Sequence, residues 1–288
     1  MFLQIVSSGI AIGCIYALIA LGFVLIYKAS EVVNFAQGDL MMIGAFLVYS
    51  AVTHFHVPFI PAFLIAVIIM AVLGKGIDRL LLRPLVGEQA FALIMATIGL
   101  GILIRSIGGM IWGYDTFSFQ AGITDRPVRM GSVALSSVHI WIIAVTLLLI
   151  VGLYYFFNRT KTGVSMEAAS QNQLAAYLMG IGVKKVFSNI WAISAMVATV
   201  AGVLLTPLQF LNYNMGFVGL KAFPAAVLGG FGSIPGAIVG GIIIGVSESI
   251  AGVYLPEGFK EIFAWIILIG VLMIRPEGIF GIQERKRV

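Results

Sequence analysis

The chain has 288 residues, of which 60% are hydrophobic and only 10% are charged, and its mean hydropathy is +1.08. A soluble domain needs far more polar surface, so the composition indicates an integral membrane protein and excludes a soluble nucleic-acid-binding domain. The net charge of +5 is gathered in short basic clusters, and the single cysteine, Cys14, excludes an intrachain disulfide framework.

The apolar runs are long enough to cross a bilayer as helices, which takes ~20 residues each. Period-2 alternation is absent, so membrane-spanning strands are not expected. Spans are predicted, in chain order, at residues 3–27, 40–53, 57–81, 90–112, 139–157, 187–210 and 259–274. The first has no basic residues before it and exceeds signal-peptide length, so we expect it to be retained. We predict an all-α, polytopic membrane protein, a single domain over residues 1–288 with about eight hydrophobic segments.

The stretch at residues 211–258 is rich in glycine and contains Pro224 and Pro235. Two apolar pieces, 222–231 and 234–252, flank the sequence GGFGSIPG and suit either a re-entrant hairpin or two short crossings. Irregular backbone at membrane depth is tolerated only where protein or a water-filled cavity covers it. Interrupted segments therefore indicate a transport pathway, and a second polar break, VVNFAQGD, in the first half suggests an inverted repeat.

Glycines in this stretch recur with helical spacing. They are Gly232, Gly236 and Gly240 at every fourth position, with Gly241 and Gly245 offset by one. Small residues in such rows let helix backbones approach closely. The rows suit a subunit interface, the wall of a pathway, or packing inside one subunit.

GGFGSIPG lacks the Lys-Ser/Thr of a phosphate-binding loop, and the chain has no such loop elsewhere, so any ATP would be hydrolysed by another chain. No enzyme motif is present, and we do not expect an enzyme.

Basic residues predict the orientation. They cluster at Lys75/Arg79/Arg83, Arg159/Lys161, Lys184/Lys185 and Arg285/Lys286/Arg287. The positive-inside rule places these clusters in the cytoplasm. Counting crossings then puts the N-terminus and residues 113–137 outside and the C-terminus inside. Both ends of a polar island, residues 158–185, face the cytoplasm.

Four polar residues lie in or beside apolar runs, namely Asn34, Asp39, Arg105 and Glu248. Such groups are costly in a membrane and usually face a cavity or a partner. Asn34 and Asp39 fall in the first break, where they line a pathway or cap the following helix. Arg105 lies two-thirds along its span, where its length permits snorkelling. Glu248 lies deep in the second hairpin arm or near its outer end.

The polar island, residues 158–185, contains a short amphipathic pattern. Its apolar positions at i, i+3, i+4 and i+7 are Leu174, Tyr177, Leu178 and Ile181. Ser170 and Gln173 have the spacing of a capping box at the start of a helix, and Gly180 and Gly182 are placed to end it. Such a helix lies on lipid, packs on its own bundle, or docks into a groove of a partner. The small side chains of Ala175 and Ala176 favour docking.

Three stretches carry a family resemblance. Residues 13–46, GCIYALIALGFVLIYKASEVVNFAQGDLMMIGAF, resemble the opening of branched-chain amino acid importer permeases of the LivH type. Residues 219–249 and 275–281 resemble the most distinctive stretch and the ending of that family. The family's first break usually reads Ile-Asn-Phe-Ala-His-Gly, and Gln37 here replaces the His. The resemblance covers nearly the whole chain.

Membrane subunits of ATP-binding-cassette importers carry a coupling motif, Glu-Ala-Ala, three residues, Gly, nine residues, Ile. The literal Glu167-Ala168-Ala169 would need Gly at 173, where Gln173 stands. Starting from Leu174-Ala175-Ala176 instead, Gly180 and Ile190 both match, and only the glutamate is lost. This register predicts the ATPase-coupling residues within a cytoplasmic coupling loop at 158–187. They are Leu174, Ala175, Ala176, Tyr177, Leu178 and Gly180.

The resemblance implies an importer subunit in the bacterial cytoplasmic (inner) membrane, working by alternating access. It implies two ATPase subunits that use the ATP, an external binding protein, and a second related permease, expected as a heterodimer with a homodimer left open. This chain itself would bind no cofactor, and its substrate would be a branched-chain amino acid, with urea, another amino acid, or an ion-coupled carrier as alternatives. Helix ends at the broken segments are expected to bind the zwitterion. The candidate pathway residues are Asn34, Gln37, Asp39, Gly229, Gly230, Gly232, Gly236 and Glu248.

Overall fold

The computed structural model describes residues 2–85, 88–118, 127–130, 133–256 and 258–281. Its helices are α1 (Phe2–Ser30), α2 (Gln37–Thr53), α3 (Phe59–Ile77), α4 (Ala90–Trp112), α5 (Ser137–Arg159), α6 (Lys161–Gln171), α7 (Gln173–Leu178), α8 (Val183–Leu205), α9 (Phe217–Gly229), α10 (Ile234–Tyr254) and α11 (Phe259–Ile274). A π-helical turn (Asp78–Leu82) and a 3-10 turn (Arg83–Leu85) extend α3. Two antiparallel strands, β1 (Pro127–Met130) and β2 (Val133–Ser136), lie between α4 and α5.

Among the described residues, six helices are long and apolar enough to cross a membrane: α1, α3 with its extension, α4, α5, α8 and α10. The helices α2, α9 and α11 are shorter, with 17, 13 and 16 residues. The prediction of a polytopic all-α membrane protein is confirmed, with the small hairpin as a local addition. The span predicted at 187–210 was too long, because α8 ends at Leu205 and Pro207 follows, whose ring cannot continue a helix.

The helix α1 lies at the centre of the bundle and is buried on all sides from Gly13 to Ile26. It runs antiparallel to α10, backbone against backbone. A methyl group added to Gly245 would overlap the backbone of Gly13, and one added to Gly241 would overlap Ala17. Glycine is required at these positions because any larger residue would push the two helices apart.

The glycine rows of the second half serve packing inside this chain. Gly241 and Gly245 face α1, whereas the other row faces α9: a methyl group on Gly236 would overlap Gly229, and one on Gly240 would overlap Ala225. Gly232 lies in the exposed turn before α10 and has no such neighbour. Of the three alternatives for these rows, the structure supports packing inside one subunit, with two rows serving two neighbouring helices.

The helices α6 and α7 lie on one face of the bundle, which we call the island face. The end of α1 lies there, because Lys28 binds Glu167 of α6. The start of α10 lies there as well, since Ile234 lines the same small cleft as Lys28 and Glu167. The segment after α11 reaches this face too, where the amide of Ile279 donates to the carbonyl of Leu228 (2.8 Å). The predicted basic cluster at residues 285–287 lies outside the described residues.

Both α2 and α9 begin in the middle of the bundle. The helices α2 and α8 run in the same direction, and Gln37 at the start of α2 lies beside Ser194, halfway along α8. The start of α9 packs on Gly38. Its 13 residues cover ~20 Å, less than the ~30 Å of hydrocarbon, whereas the 21 residues of α10 are long enough to cross. The hairpin at 211–258 is therefore one half-length helix followed by one full-length helix.

We expect Gly245→Ala to destabilise the protein by roughly 1–3 kcal/mol, because its methyl group would overlap the backbone of α1. Gly270→Ala in α11 is the matched control, since a methyl group there meets no atom within 4 Å. It should be neutral or stabilise by up to about 1 kcal/mol through helix propensity. Thermal unfolding of both variants in detergent measures the difference, and equal melting temperatures would contradict the packing described.

Candidate functional site

The segment that joins α1 to α2 turns back into the bundle, and Asn34 within it is fully buried. The side-chain oxygen of Asn34 accepts from the amide of Ala36 (3.1 Å), and its backbone carbonyl accepts from the amide of Gln37 (3.1 Å). These bonds form a tight turn that orients the start of α2. Asn34 therefore satisfies backbone groups that would otherwise be unpaired at membrane depth.

Gln37 ties this turn to two long helices. Its side-chain oxygen accepts from the hydroxyl of Ser194 in α8 (2.9 Å) and from the side-chain amide of Asn34 (3.3 Å). A methyl group added to Gly22 of α1 would overlap the Gln37 side chain. The break is thus a buried polar network joining α1, α2 and α8, and buried networks of this kind rigidify the structure when fully bonded.

Asp39 forms an ion pair with Arg105 of α4. One carboxylate oxygen accepts a hydrogen bond from Nε of Arg105 (2.9 Å) and lies 2.9 Å from Nη2. The Asp39 side chain is 4% exposed and that of Arg105 is 22% exposed. The capping role considered for Asp39 is therefore not what the structure has, because its carboxylate points to α4. Arg105 reaches inward to a partner and does not snorkel to the surface, since pairing offsets the cost of its charge.

The start of α9 packs against the start of α2, beside the Asp39–Arg105 ion pair. A methyl group on Gly38 would overlap the carbonyl of Gly216, and one on Gly216 would overlap the Asp39 carboxylate. The guanidinium of Arg105 lies 3.9 Å from the ring centre of Phe217, within cation–π range. The N-terminal ends of α2 and α9 therefore meet in the middle of the bundle, and both carry partial positive charge.

Half-buried aromatic side chains continue from this meeting point toward the island face. The ring centres of Phe35 and Phe223 are 5.7 Å apart, as are those of Phe223 and Phe231, and those of Tyr27 and Phe231 are 4.6 Å apart. Phe217 stands at the start of α9 and Phe231 just after its end. The rings thus follow the whole length of α9 as an apolar strip next to the ion pair.

The structure does not bring all the predicted pathway residues together. Asn34, Gln37 and Asp39 form one network, whereas Gly229 to Gly236 form the turn at the other end of α9, on the island face. Gly230 has φ +94°, and the C-terminal segment packs beside it, where the Phe280 amide donates to the carbonyl of Gly229 (3.2 Å). These two segments therefore do not lie side by side, and their role in a pathway stays a prediction. The partner of the first break is the segment that ends at Gly216.

Glu248 is buried and accepts a hydrogen bond from the hydroxyl of Tyr16 (2.6 Å). This bond fastens α10 to α1, six residues before the end of α10 at Tyr254.

An apolar cavity of about 550 Å³ lies elsewhere, between the ends of α3, α5 and α8 that lie away from the island face. Its walls are proline, aromatic and aliphatic side chains such as Pro58, Trp141 and Leu204. It holds none of the polar groups that a zwitterion needs, so we do not assign it as the site.

The polar island folds as two short helices. Thr160 caps α6 by accepting from the amide of Gly163 (3.0 Å), and Asn172 caps α7 by accepting from the amide of Ala175 (2.9 Å). The predicted capping box is wrong, because Ser170 lies inside α6 and donates to the carbonyl of Glu167 (2.7 Å). The predicted end is confirmed, since Gly180 follows α7 with φ +82°.

The surface of α7 is apolar and exposed. Leu174 is 70% exposed and Leu178 is 75% exposed, and Tyr177 beside them is also exposed. Ala176 is buried against the bundle and is not part of this surface, whereas Ala175 is exposed. Exposed apolar patches of this kind mark interaction sites. In the Glu167-Ala168-Ala169 sequence, Ala169 is buried, Ala168 is half-buried and Glu167 binds Lys28. The exposed apolar residues are those of α7, and the coupling register that begins at Leu174 stays a prediction.

Comparison with known proteins identifies the family. The model of the branched-chain amino acid transport system / permease component family matches residues 5–272. The chain belongs to this family. It is 33% identical over 302 residues to the high-affinity branched-chain amino acid transport system permease protein BraD of Pseudomonas aeruginosa, covering 100% of this chain and 98% of BraD. It is 33% identical over 305 residues to the protein of the same description, LivH, of Salmonella typhimurium, with the same coverage.

A solved structure shares the fold. It is described as PsaBC from Streptococcus pneumoniae in complex with Fab and superposes with a TM-score of 0.50. The similarity covers 96% of this chain and 93% of that chain at 15% sequence identity. The arrangement of helices in this permease family thus extends to a protein of very different sequence.

Several residues of the site were not on the predicted list. Ser194 and Gly216 carry no sequence signal of their own, since a serine and a glycine are ordinary in membrane helices. Arg105 did have a signal, because a charge inside an apolar run requires a partner. Combining it with Asp39, the acidic residue of the first break, would have suggested this pair.

We expect Asp39→Ala to leave the Arg105 charge unpaired at membrane depth and to cost stability near the lower end of ~3–5 kcal/mol, because Arg105 is partly exposed. Replacing both partners, as Asp39→Ala with Arg105→Gln, should recover most of the loss. Thermal unfolding of Asp39→Ala, Arg105→Gln and the double variant in detergent gives the coupling energy.

The more exposed pair Lys221–Glu261, with side chains 30% and 71% exposed, provides the control, and Lys221→Gln should cost less than about 1 kcal/mol. If Asp39→Ala and Lys221→Gln lower the stability of the protein equally, the Asp39–Arg105 pair does not hold the meeting point of α2 and α9 together.

Proposed function

We propose that this protein is the permease subunit of an ATP-driven importer of branched-chain amino acids in the bacterial cytoplasmic (inner) membrane. The observation that carries the proposal is family membership over nearly the whole chain, with relatives described as high-affinity branched-chain amino acid transport permeases. The exposed apolar surface of α7 supports it, because a subunit driven by a separate ATPase needs a docking site outside the bilayer.

The island face is the cytoplasmic face in this proposal. Arg159 and Lys161 stand at the start of the island and Lys184 and Lys185 at its end. Positive charge next to spans is retained in the cytoplasm. The C-terminus is then cytoplasmic, and the start of α1 faces the outside, where an external binding protein delivers the substrate.

ATP is bound and hydrolysed by two partner ATPase subunits, and this chain binds no cofactor. The α7 surface fits a groove on such a partner, since Leu174, Tyr177 and Leu178 project from a short helix that is capped at both ends. Nucleotide-driven closure of the ATPase pair would move this helix and, through it, the bundle.

The substrate passes along the exposed side of α9. The strip of Phe35, Phe223 and Phe231 suits a branched aliphatic side chain, and the N-terminal ends of α2 and α9 attract the carboxylate. Arg105 is partly exposed beside the meeting point of α2 and α9, so lipid is an unsuitable neighbour on this side. A second, related permease subunit covers it, and the route lies between the two.

The test is reconstitution into liposomes with the candidate ATPase and partner permease. We expect ATP-dependent leucine uptake by the wild type and a loss of at least about tenfold for Leu178→Asp, because a charge cannot enter an apolar groove. Thr162→Asp, which places the same charge on the exposed first turn of α6, should transport normally. Co-purification in mild detergent should show the ATPase with the wild type and with Thr162→Asp, and much less with Leu178→Asp.

Other outcomes identify other functions. Uptake by this chain alone that an ionophore abolishes would indicate an ion-coupled carrier. Flux without ATP or binding protein would indicate a passive channel. ATP-driven uptake of urea or another amino acid in place of leucine would keep the mechanism and change the substrate.

A further inference from the structure

The polar island is fastened to α1 by side-chain contacts far apart in the sequence. The ammonium group of Lys28 lies 2.6 Å from each carboxylate oxygen of Glu167 in α6. The side-chain amide of Gln173, the first residue of α7, donates to the carbonyl of Ala29 (3.3 Å). Both island helices are thus held to the last turn of α1.

Packing beneath these bonds joins α6 to the same place. Met166 and Ala169 of α6 are buried, and Met166 shares a cleft with Leu25 and Ala29 of α1. The inward side of α6 is therefore packed against the end of α1. The outward side of α7 remains free, with Leu178 exposed.

The end of α1 leads directly into the buried break. Glu31 closes α1 in the left-handed region, with φ +55°, and its amide donates to the carbonyl of Tyr27 (2.7 Å). Non-glycine residues adopt this conformation only when their surroundings hold it. Asn34 follows three residues later and is hydrogen-bonded to Gln37. Only a few residues therefore separate the Lys28–Glu167 contact from the polar network at the start of α2.

We propose that the Lys28–Glu167 ion pair couples the island to the substrate route. Resting on the proposed function, this inference makes Lys28 and Glu167 positioning residues that transmit movement of α6 and α7 through the end of α1 to the break at Asn34 and Gln37. The island also continues along the chain into α5 and α8. The ion pair joins it to α1, the helix whose end leads into the break.

The exposure of the pair makes this role separable from folding. The side chains of Lys28 and Glu167 are 24% and 36% exposed. Ion pairs this accessible to water contribute little to stability, because solvent screens them and their side chains lose conformational entropy. Removing one partner should therefore leave a folded protein that still binds its ATPase through α7.

The experiment measures uptake and ATP hydrolysis in the same liposomes for Lys28→Gln, Glu167→Gln and the charge swap Lys28→Glu with Glu167→Lys. We expect each single variant to hydrolyse ATP and to take up at least about fivefold less leucine per ATP than the wild type, as a lost coupling contact predicts. The swap should recover at least half of the wild-type ratio, and Glu167→Asp should be intermediate. Lys161→Gln, an exposed charge on the same helix, should match the wild type.

The inference would be overturned if the single variants took up as much leucine per ATP as the wild type. It would also be overturned if the charge swap recovered no more uptake than the single variants and Glu167→Asp behaved like Glu167→Gln. A lowered melting temperature with an unchanged ratio would assign the pair a purely structural role. If the wild type itself shows no ATP-driven uptake, the proposed function fails; if the wild type transports and the variants match it, only the coupling role fails.

Discussion

Hydrocarbon offers no hydrogen bonds, so every backbone group at membrane depth must be paired within the protein. This constraint governs the architecture, because two helices begin in the middle of the bundle and two irregular segments lead to them. The first segment is covered by α1, α4 and α8, with Asn34 and Gln37 bonding its backbone and its neighbours. The second ends at Gly216 with successive short turns, in which Phe217, Val218 and Gly219 donate to carbonyls three residues back.

Each irregular segment joins a long helix to a shorter one, α1 to α2 and α8 to α9, and these two helix pairs run in opposite directions. In the first pair, α1 runs to the island face and the chain returns halfway before α2 leaves toward the other side. In the second, α8 runs away from the island face and the chain returns halfway before α9 goes back to it. The two half-helices meet at Gly38 and Gly216, where only glycine fits. Such paired broken helices are the usual site of substrate binding in transporters with inverted repeats, and here Asp39 and Arg105 stand at that meeting point.

The sequence predicted the elements well where one strong physical signal was enough. Long apolar runs gave the spans, and 90–112 and 259–274 agree with α4 and α11 at both ends. It failed where two signals competed locally. Ser170 had the spacing of a helix cap, but α6 extends through it and Asn172 takes that role. GGFGSIPG had the composition of a membrane break, yet it forms a surface turn. The true second break precedes α9, where Pro207, Asn212 and Asn214 interrupt the apolar sequence.

The sequence alone determined that this is a multi-pass helical membrane protein of one permease family. It also determined that the island carries a short helix ending just before Gly180, and that Asn34 and Asp39 are unusual for their depth. Composition, periodicity and local turn chemistry depend on residues close together in the chain, so they can be recognised in a single sequence. Only the tertiary structure decided that Asp39 pairs with Arg105, that Gly38 meets Gly216, and that Glu167 turns inward to Lys28. Those contacts join residues far apart in the sequence. They depend on the register and crossing of packed helices, which no local pattern specifies.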